Sequence, residues 1–361
     1  MNYDSRELCL IWLDSFIGLE YKHKKEIFEK LSDNLSISSL LSDCGERLRA
    51  AIGEGRYATL KNSANTGYLD YVLEGLERRK IKAVTVKSKD YPELLSNIDL
   101  PPLVLYTKGD TGLLKSETFS IVGSRKNLPL SLGIAKNYTE KLCEAGFTVV
   151  TGIAEGIDET VLATALAVNG KAISVIAGGL NHVYPSSNNA LADKIAERGL
   201  LISEQPPEVR PMPYMFPIRN RIISGLSKGL LLVSGGEKSG TVYTVDYALS
   251  YGRDVFAIPY SIGVESGKLC NKIIKEGAML SDSPSDILLH YGKTPRNIEE
   301  TEYSEEEKRV ISALKEGPKH IEKICALTGM DVAKLSPTLM NLEIEGKICK
   351  TGTNVYGLVS D

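Results

Sequence analysis

From Ile81 onward, short β-branched apolar runs alternate with helical stretches, and most of the apolar runs stop at a glycine or a Ser/Thr. The runs are AVTV (83–86), LVLYTKG (103–109), FSIVGS (119–124), FTVVTG (147–152), AISVIAGG (172–179), LLISEQ (200–205), GLLLVSGG (229–236) and DVFAIP (254–259). Between them lie stretches with helical spacing, such as 134–146 and 161–170. Near-continuous apolar strands are buried on both faces, which requires helices above and below the sheet. The pattern therefore predicts an α/β fold with a doubly wound, mostly parallel, Rossmann-like sheet over 81–291. In such sheets ligands bind where strands end and helices begin.

The flanks read differently. Residues 1–80 lack proline and show helical spacing at Leu8, Ile11, Trp12 and Ser15, and again at Ile27, Phe28 and Leu31. A turn at Gly18–Lys22 separates them, so a small helical domain is expected, either helix-hairpin-helix-like or a packing and docking module. Residues 292–303 are polar and read as a linker. Residues 304–361 predict three short helices and two strands joined at Thr351–Gly352, a winged helix. Its third helix region mixes Lys334 and Lys347 with Asp331, Glu343 and Glu345, which favours protein contact over reading a DNA groove.

The net charge is −3, so nucleic-acid binding would need a local basic patch. The six cysteines are scattered, without CxxC or Cys/His spacing, which speaks for a reduced compartment and against a zinc site. No signal-peptide pattern and no membrane-length apolar run occurs, so a cytoplasmic protein is expected.

Four turns carry candidate chemistry. Gly123-Ser124-Arg125-Lys126 follows a strand; its amides and Arg125 suit a phosphate, but it lacks the second and third glycines of GxGxxG. Arg219-Asn220-Arg221 is read as standing just before an apolar helix. Cations are unusual there, so the pair suits an anion. Ser234 to Thr241 resembles a phosphate cradle with Lys238, Ser239 and Gly240; Glu237 rules out a Walker A loop. Thr151–Asp158 is a further strand–turn–helix, in which Asp158 could cap the helix and Glu155 would repel a phosphate. The four are expected to converge on one rim holding Arg125, Lys126, Arg219, Arg221 and Lys238. No nucleophile–base pair, cofactor motif or metal spacing accompanies them, and the four histidines lie far apart.

In this order the turns resemble the DprA/Smf family. The match rests on DYPELLSNIDLPPLVLYTKGD (90–110), IVGSRK, TGIAEGID, AGGLNHVYPSSNNAL (177–191), LISEQPP (201–207), FPIRNRIISGLS, SGTVYT (239–244) and EGAMLSDSPSDIL (276–288). The resemblance implies a non-enzymatic, homodimeric protein that binds single-stranded DNA and loads the RecA recombinase onto it in natural transformation. It carries over Gly123, Ser124, Arg125, Arg219, Asn220, Arg221, Lys238, Ser239 and Gly240 as the DNA-gripping set. Five positions depart from the family pattern: Glu155 for Arg/Lys, Leu162 for His, Ser234 for Glu, Tyr260 for Gly and Leu269 for Gly. Two alternatives stay open. One is an interaction module with weakened DNA binding, supported by Glu155. The other is a phosphoribohydrolase, which would need a carboxylate where Thr244 stands.

Overall fold

The computed structural model describes residues 3–16, 36–125, 128–237, 239–293, 304–315, 317–344 and 347–358. The chain forms two compact units, 1–293 and 294–361. The larger is built on nine strands: β1 (Lys82–Thr85), β2 (Val104–Gly109), β3 (Thr118–Gly123), β4 (Thr148–Thr151), β5 (Lys171–Val175), β6 (Leu200–Ser203), β7 (Gly229–Ser234), β8 (Asp254–Ala257) and β9 (Met279–Leu280). Their order is β1-β2-β6-β5-β4-β3-β7-β8-β9. The run from β6 to β9 is parallel, while β2 pairs antiparallel with both β1 and β6. The expected mostly parallel, Rossmann-like sheet is thus present.

Alternation along each strand divides the core. Phe119, Ile121, Val149, Leu231 and Val233 enter one apolar layer; Val122, Val150, Ile173, Leu230 and Leu232 enter the other. The first layer is covered by the helices Pro129–Glu144, Ile157–Ala167 and Asn189–Arg198, the second by Met215–Leu226, Thr241–Ser250 and Lys268–Lys275. The chain leaves β3 toward one face and β7 toward the other, so their shared carboxyl end is the topological switch point of the sheet.

The helices Ser5–Ser15, Ile37–Ile52, Glu54–Ser63 and Tyr68–Arg78 precede the sheet. Asp4 starts the first with a capping box, accepting from the Arg6 and Glu7 amides at 2.9 Å. These helices continue the core of the sheet within one compact unit. Trp12 is fully buried, with its indole N–H donating to Ser63 Oγ at 2.9 Å. Tyr106 on β2 donates to Asp14 at 3.0 Å, and the Ala83 amide on β1 donates to Tyr3 at 3.0 Å. The turn Gly18–Lys22 and the positions Ile27, Phe28 and Leu31 lie outside the described residues.

In the smaller unit the helices Glu305–Leu314, Ile321–Thr328 and Val332–Ile344 pack on a sheet of β10 (Lys319–His320), β12 (Val355–Leu358) and β11 (Ile348–Gly352), in the order β10-β12-β11. Val310, Leu314, Ile324, Leu335, Leu339, Leu342 and Ile348 form its core. This is the winged helix, with one correction. Thr351 and Gly352 belong to β11, and the hairpin turns at Thr353–Asn354, where Asn354 takes a left-handed φ of 54°.

Candidate functional site

Two of the four sequence turns are the strand ends at the switch point, and a third follows the neighbouring β4. The Ser124 amide after β3 donates to Ser234 O at the end of β7 at 2.9 Å, locking the two turns together. Gly123 is needed for packing: a Cβ there would strike Ile157, the first residue of the helix after β4. Around these ends lies a groove of about 690 Å³, whose lining includes Arg125, Asp158, Phe216, Arg219, Asn220 and Ser239. The starts of the helices Ile157–Ala167 and Thr241–Ser250 border it, with Gly156 and Gly240 at their caps; no side chain caps the first, while Ser239 Oγ accepts the Thr241 amide of the second at 3.4 Å. The uncapped start of the Ile157–Ala167 helix presents amides to an anion.

The fourth turn is corrected. Phe216–Arg221 lies within the helix Met215–Leu226, because Pro217 falls in its first turn, where proline is tolerated. Arg219 and Arg221 are then about 200° apart around the helix, so they cannot share a face. Arg219 faces the groove and is buried; Arg221 is outside the groove lining and pairs with Glu204. The expectation that both arginines line one rim is not met.

Arg219 donates to Val175 O and, through Nε, to Asn220 Oδ1 at 3.1 Å. Burial pushes its guanidinium down to about 10, opposed by the charge of Asp158. Asp158 is not the cap; it sits one residue into its helix and accepts the Ala154 amide at 3.2 Å. Burial raises its pKa and the Arg219 charge opposes the rise. Gly152 makes room for this pair: a Cβ there would enter both the Asp158 carboxylate and the Arg219 guanidinium. Asn220 extends the network to Gly240 O at 3.4 Å, and Thr241 Oγ1 donates to Ser239 Oγ at 2.8 Å.

Arg125 is exposed, with its guanidinium 5.6 Å from the centroid of the Phe216 ring. Phe216 in turn meets Tyr184 edge-on at 5.7 Å. Sequence reasoning missed both aromatics as site residues. Phe216 adjoined the arginines in its motif, whereas Tyr184 carried no local signal. Lys126 and Lys238 lie outside the described residues.

The unusual positions have local explanations. Leu162 is fully buried in the helix Ile157–Ala167, and Ser234 Oγ lies 3.3 Å from the Ser124 amide. Tyr260 donates to Val233 O at 2.8 Å and packs where Gly267 leaves space. Leu269 is buried against Gly235. Glu155 is exposed and accepts from Ser187 Oγ at 3.1 Å.

Chemically, the groove combines cations and helix-start amides with aromatic surface. Thr244 in its lining is buried and supplies no carboxylate for glycosidic-bond cleavage. Of the described histidines, none lines the groove; His290 pairs with Asp254 at 3.2 Å, at the opposite, amino end of β8.

Residues 82–292 match the family model for DNA recombination-mediator protein A, and residues 293–352 match that of the DprA winged helix domain. The DNA processing protein DprA of Bacillus subtilis is 40% identical over 248 residues, which cover 68% of this chain and 83% of that protein. Protein Smf of Escherichia coli is 34% identical, covering 76% of each. The crystal structure of DprA from Streptococcus pneumoniae superposes with a TM-score of 0.68 at 31% identity, covering 80% of this chain and 98% of that one. A structure of DprA from Helicobacter pylori that describes its single-stranded DNA binding mode superposes with a TM-score of 0.54 at 25% identity, covering 59% and 95%.

Proposed function

The chain belongs to the DNA recombination-mediator protein A (DprA/Smf) family, a family of DNA processing proteins, and from that premise we propose that it grips single-stranded DNA by its phosphates along the switch-point groove. The observation that carries this reading is the pairing of an exposed Arg125 at the mouth of the groove with Arg219 beneath it, beside the uncapped start of the Ile157–Ala167 helix. Arginine and helix-start amides both recognise phosphate oxygens without reading sequence. Gly123, Ser124, Lys126, Asn220, Lys238, Ser239 and Gly240 complete the gripping set in this reading. Arg221 is assigned to structure, through Glu204.

Binding alone suffices for such a role. The protein protects the strand and hands it to a RecA-type recombinase, as a cytoplasmic homodimer and without making or breaking bonds. Support for the binding step comes from the H. pylori relative, whose structure describes single-stranded DNA binding. The test is fluorescence anisotropy with labelled single- and double-stranded oligonucleotides across a salt series. Arg125→Ala is expected to weaken single-strand binding roughly 10-fold or more, the loss typical of a charge-assisted hydrogen bond. The salt slope should flatten by about 0.7, one phosphate contact's worth. Unchanged affinity and slope would refute this reading.

A further inference from the structure

A second, smaller cavity of about 110 Å³ adjoins the groove at the carboxyl ends of β4 and β5. Ile153, Ile176 and Phe216 give it apolar walls; Arg125, Glu155 and Arg219 supply its charged groups. Arg125, Phe216 and Arg219 line the groove as well, so the two spaces adjoin. The volume suits a planar heterocycle of nucleobase size and is too small for a base together with its sugar and phosphate. A strand held by its phosphates in the groove has one kind of group to place there, a base.

The cavity is not chemically neutral toward bases. Glu155 is exposed, and one of its carboxylate oxygens accepts the Ser187 hydroxyl at 3.1 Å, which steadies the side chain at the rim. A carboxylate only accepts hydrogen bonds, and each oxygen can take two. It repels phosphate and attracts N–H edges. Guanine offers two parallel N–H donors on its Watson–Crick edge, spaced to meet two carboxylate oxygens. Cytosine and adenine each offer an amino group. Thymine offers one imide N–H between two carbonyls that a carboxylate repels.

We propose that Glu155 makes this cavity a base-reading subsite that prefers amino-bearing bases, guanine foremost, and disfavours thymine. The proposal rests on the reading of the groove as a single-stranded-DNA site. Glu155 is then a specificity determinant, distinct from the phosphate-gripping arginines.

The test compares oligo(dT) with the same oligomer carrying one central dG, dA or dC, by anisotropy at low salt, for the full chain and for Glu155→Gln. The expected result is dG tighter than dT by roughly 10-fold, the size of a good base-edge contact. Glu155→Gln should bring that ratio close to one while keeping oligo(dT) binding, which also shows that the variant folds. Equal affinities for all four oligomers overturn the proposal and leave the phosphate-gripping reading intact. So does a uniform gain of affinity in Glu155→Gln with the ratios unchanged, since that marks Glu155 as a mere electrostatic brake. Binding of none of the oligomers overturns the underlying reading, and the subsite falls with it.

Discussion

Replacing Arg219 by alanine should cost stability as well as DNA binding, and the stability cost should depend on pH. Arg219 and Asp158 are both buried, 7% and 8% exposed, and each opposes the burial penalty on the other. Removing one of two opposed buried charges leaves the other less compensated, with a cost of up to about 3–5 kcal/mol, the value for a directly contacting pair. Part of the loss, about 1–3 kcal/mol, is the Val175 carbonyl left without its donor and does not titrate. The remainder lies with Asp158. Its folded pKa is raised above the unfolded carboxylate value. The native state therefore holds the extra proton in that window, and stability falls as pH rises through the folded pKa. Without Arg219 the chief influence holding that pKa down is gone, so the folded pKa climbs and the window widens upward. The deficit of Arg219→Ala should thus be larger at pH 8 than at pH 5, by about 1 kcal/mol or more, the worth of one pKa unit. Urea unfolding followed by the fluorescence of Trp12 reads this directly, because this tryptophan is the only one in the chain and is fully buried in the larger unit. The midpoint should fall by about 1 M or more at pH 8. Adding Asp158→Asn, which keeps an acceptor for the Ala154 amide, should recover part of the loss. An equal deficit at both pH values with no recovery in the double variant would refute the reasoning.

Gly152→Ala should destabilise the larger unit by about 1–3 kcal/mol, because its methyl enters the space between Asp158 and Arg219; urea unfolding would show it. Arg221→Ala should cost about 3–5 kcal/mol by stranding Glu204, whose side chain is 13% exposed. Its DNA salt slope should stay at the wild-type value, in contrast to Arg125→Ala, whose guanidinium is exposed and whose unfolding midpoint should not move. A flattened slope in Arg221→Ala would return that residue to the gripping set.

Much of the fold was legible because it rests on local pattern. Seven of the eight apolar runs became strands within a residue or two of their expected ends, and AISVIAGG (172–179) became the shorter β5, ending at Val175; a segment buried on both faces must be apolar throughout. The glycine stops marked strand ends for a related reason: Gly123 permits the close approach of the helix Ile157–Ala167. The Met215–Leu226 helix starts earlier than the apolar stretch after Arg221 suggested, because its first turn accepts Pro217. That single shift put Arg221 on the wrong side. Once the helix start is known, the 3.6-residue period alone separates Arg219 from Arg221.

The amino-acid sequence by itself determined the alternating layers, the family, and which turns carry amides, arginines and glycines. These follow from side-chain periodicity and from residue types that only certain backbones tolerate. Tertiary structure alone decided which of those groups share a surface. Asp158 and Arg219 are 61 positions apart in the chain, and Tyr184 reaches Phe216 from another loop. It also joined the N-terminal helices to the sheet through contacts such as Tyr106 to Asp14. Such pairings depend on how the sheet orders its strands and which face each connection takes, and no local pattern encodes them. That is why the basic turns were readable in the chain, while the buried charge pair, the aromatic wall and the cavity beside Glu155 emerged only in three dimensions.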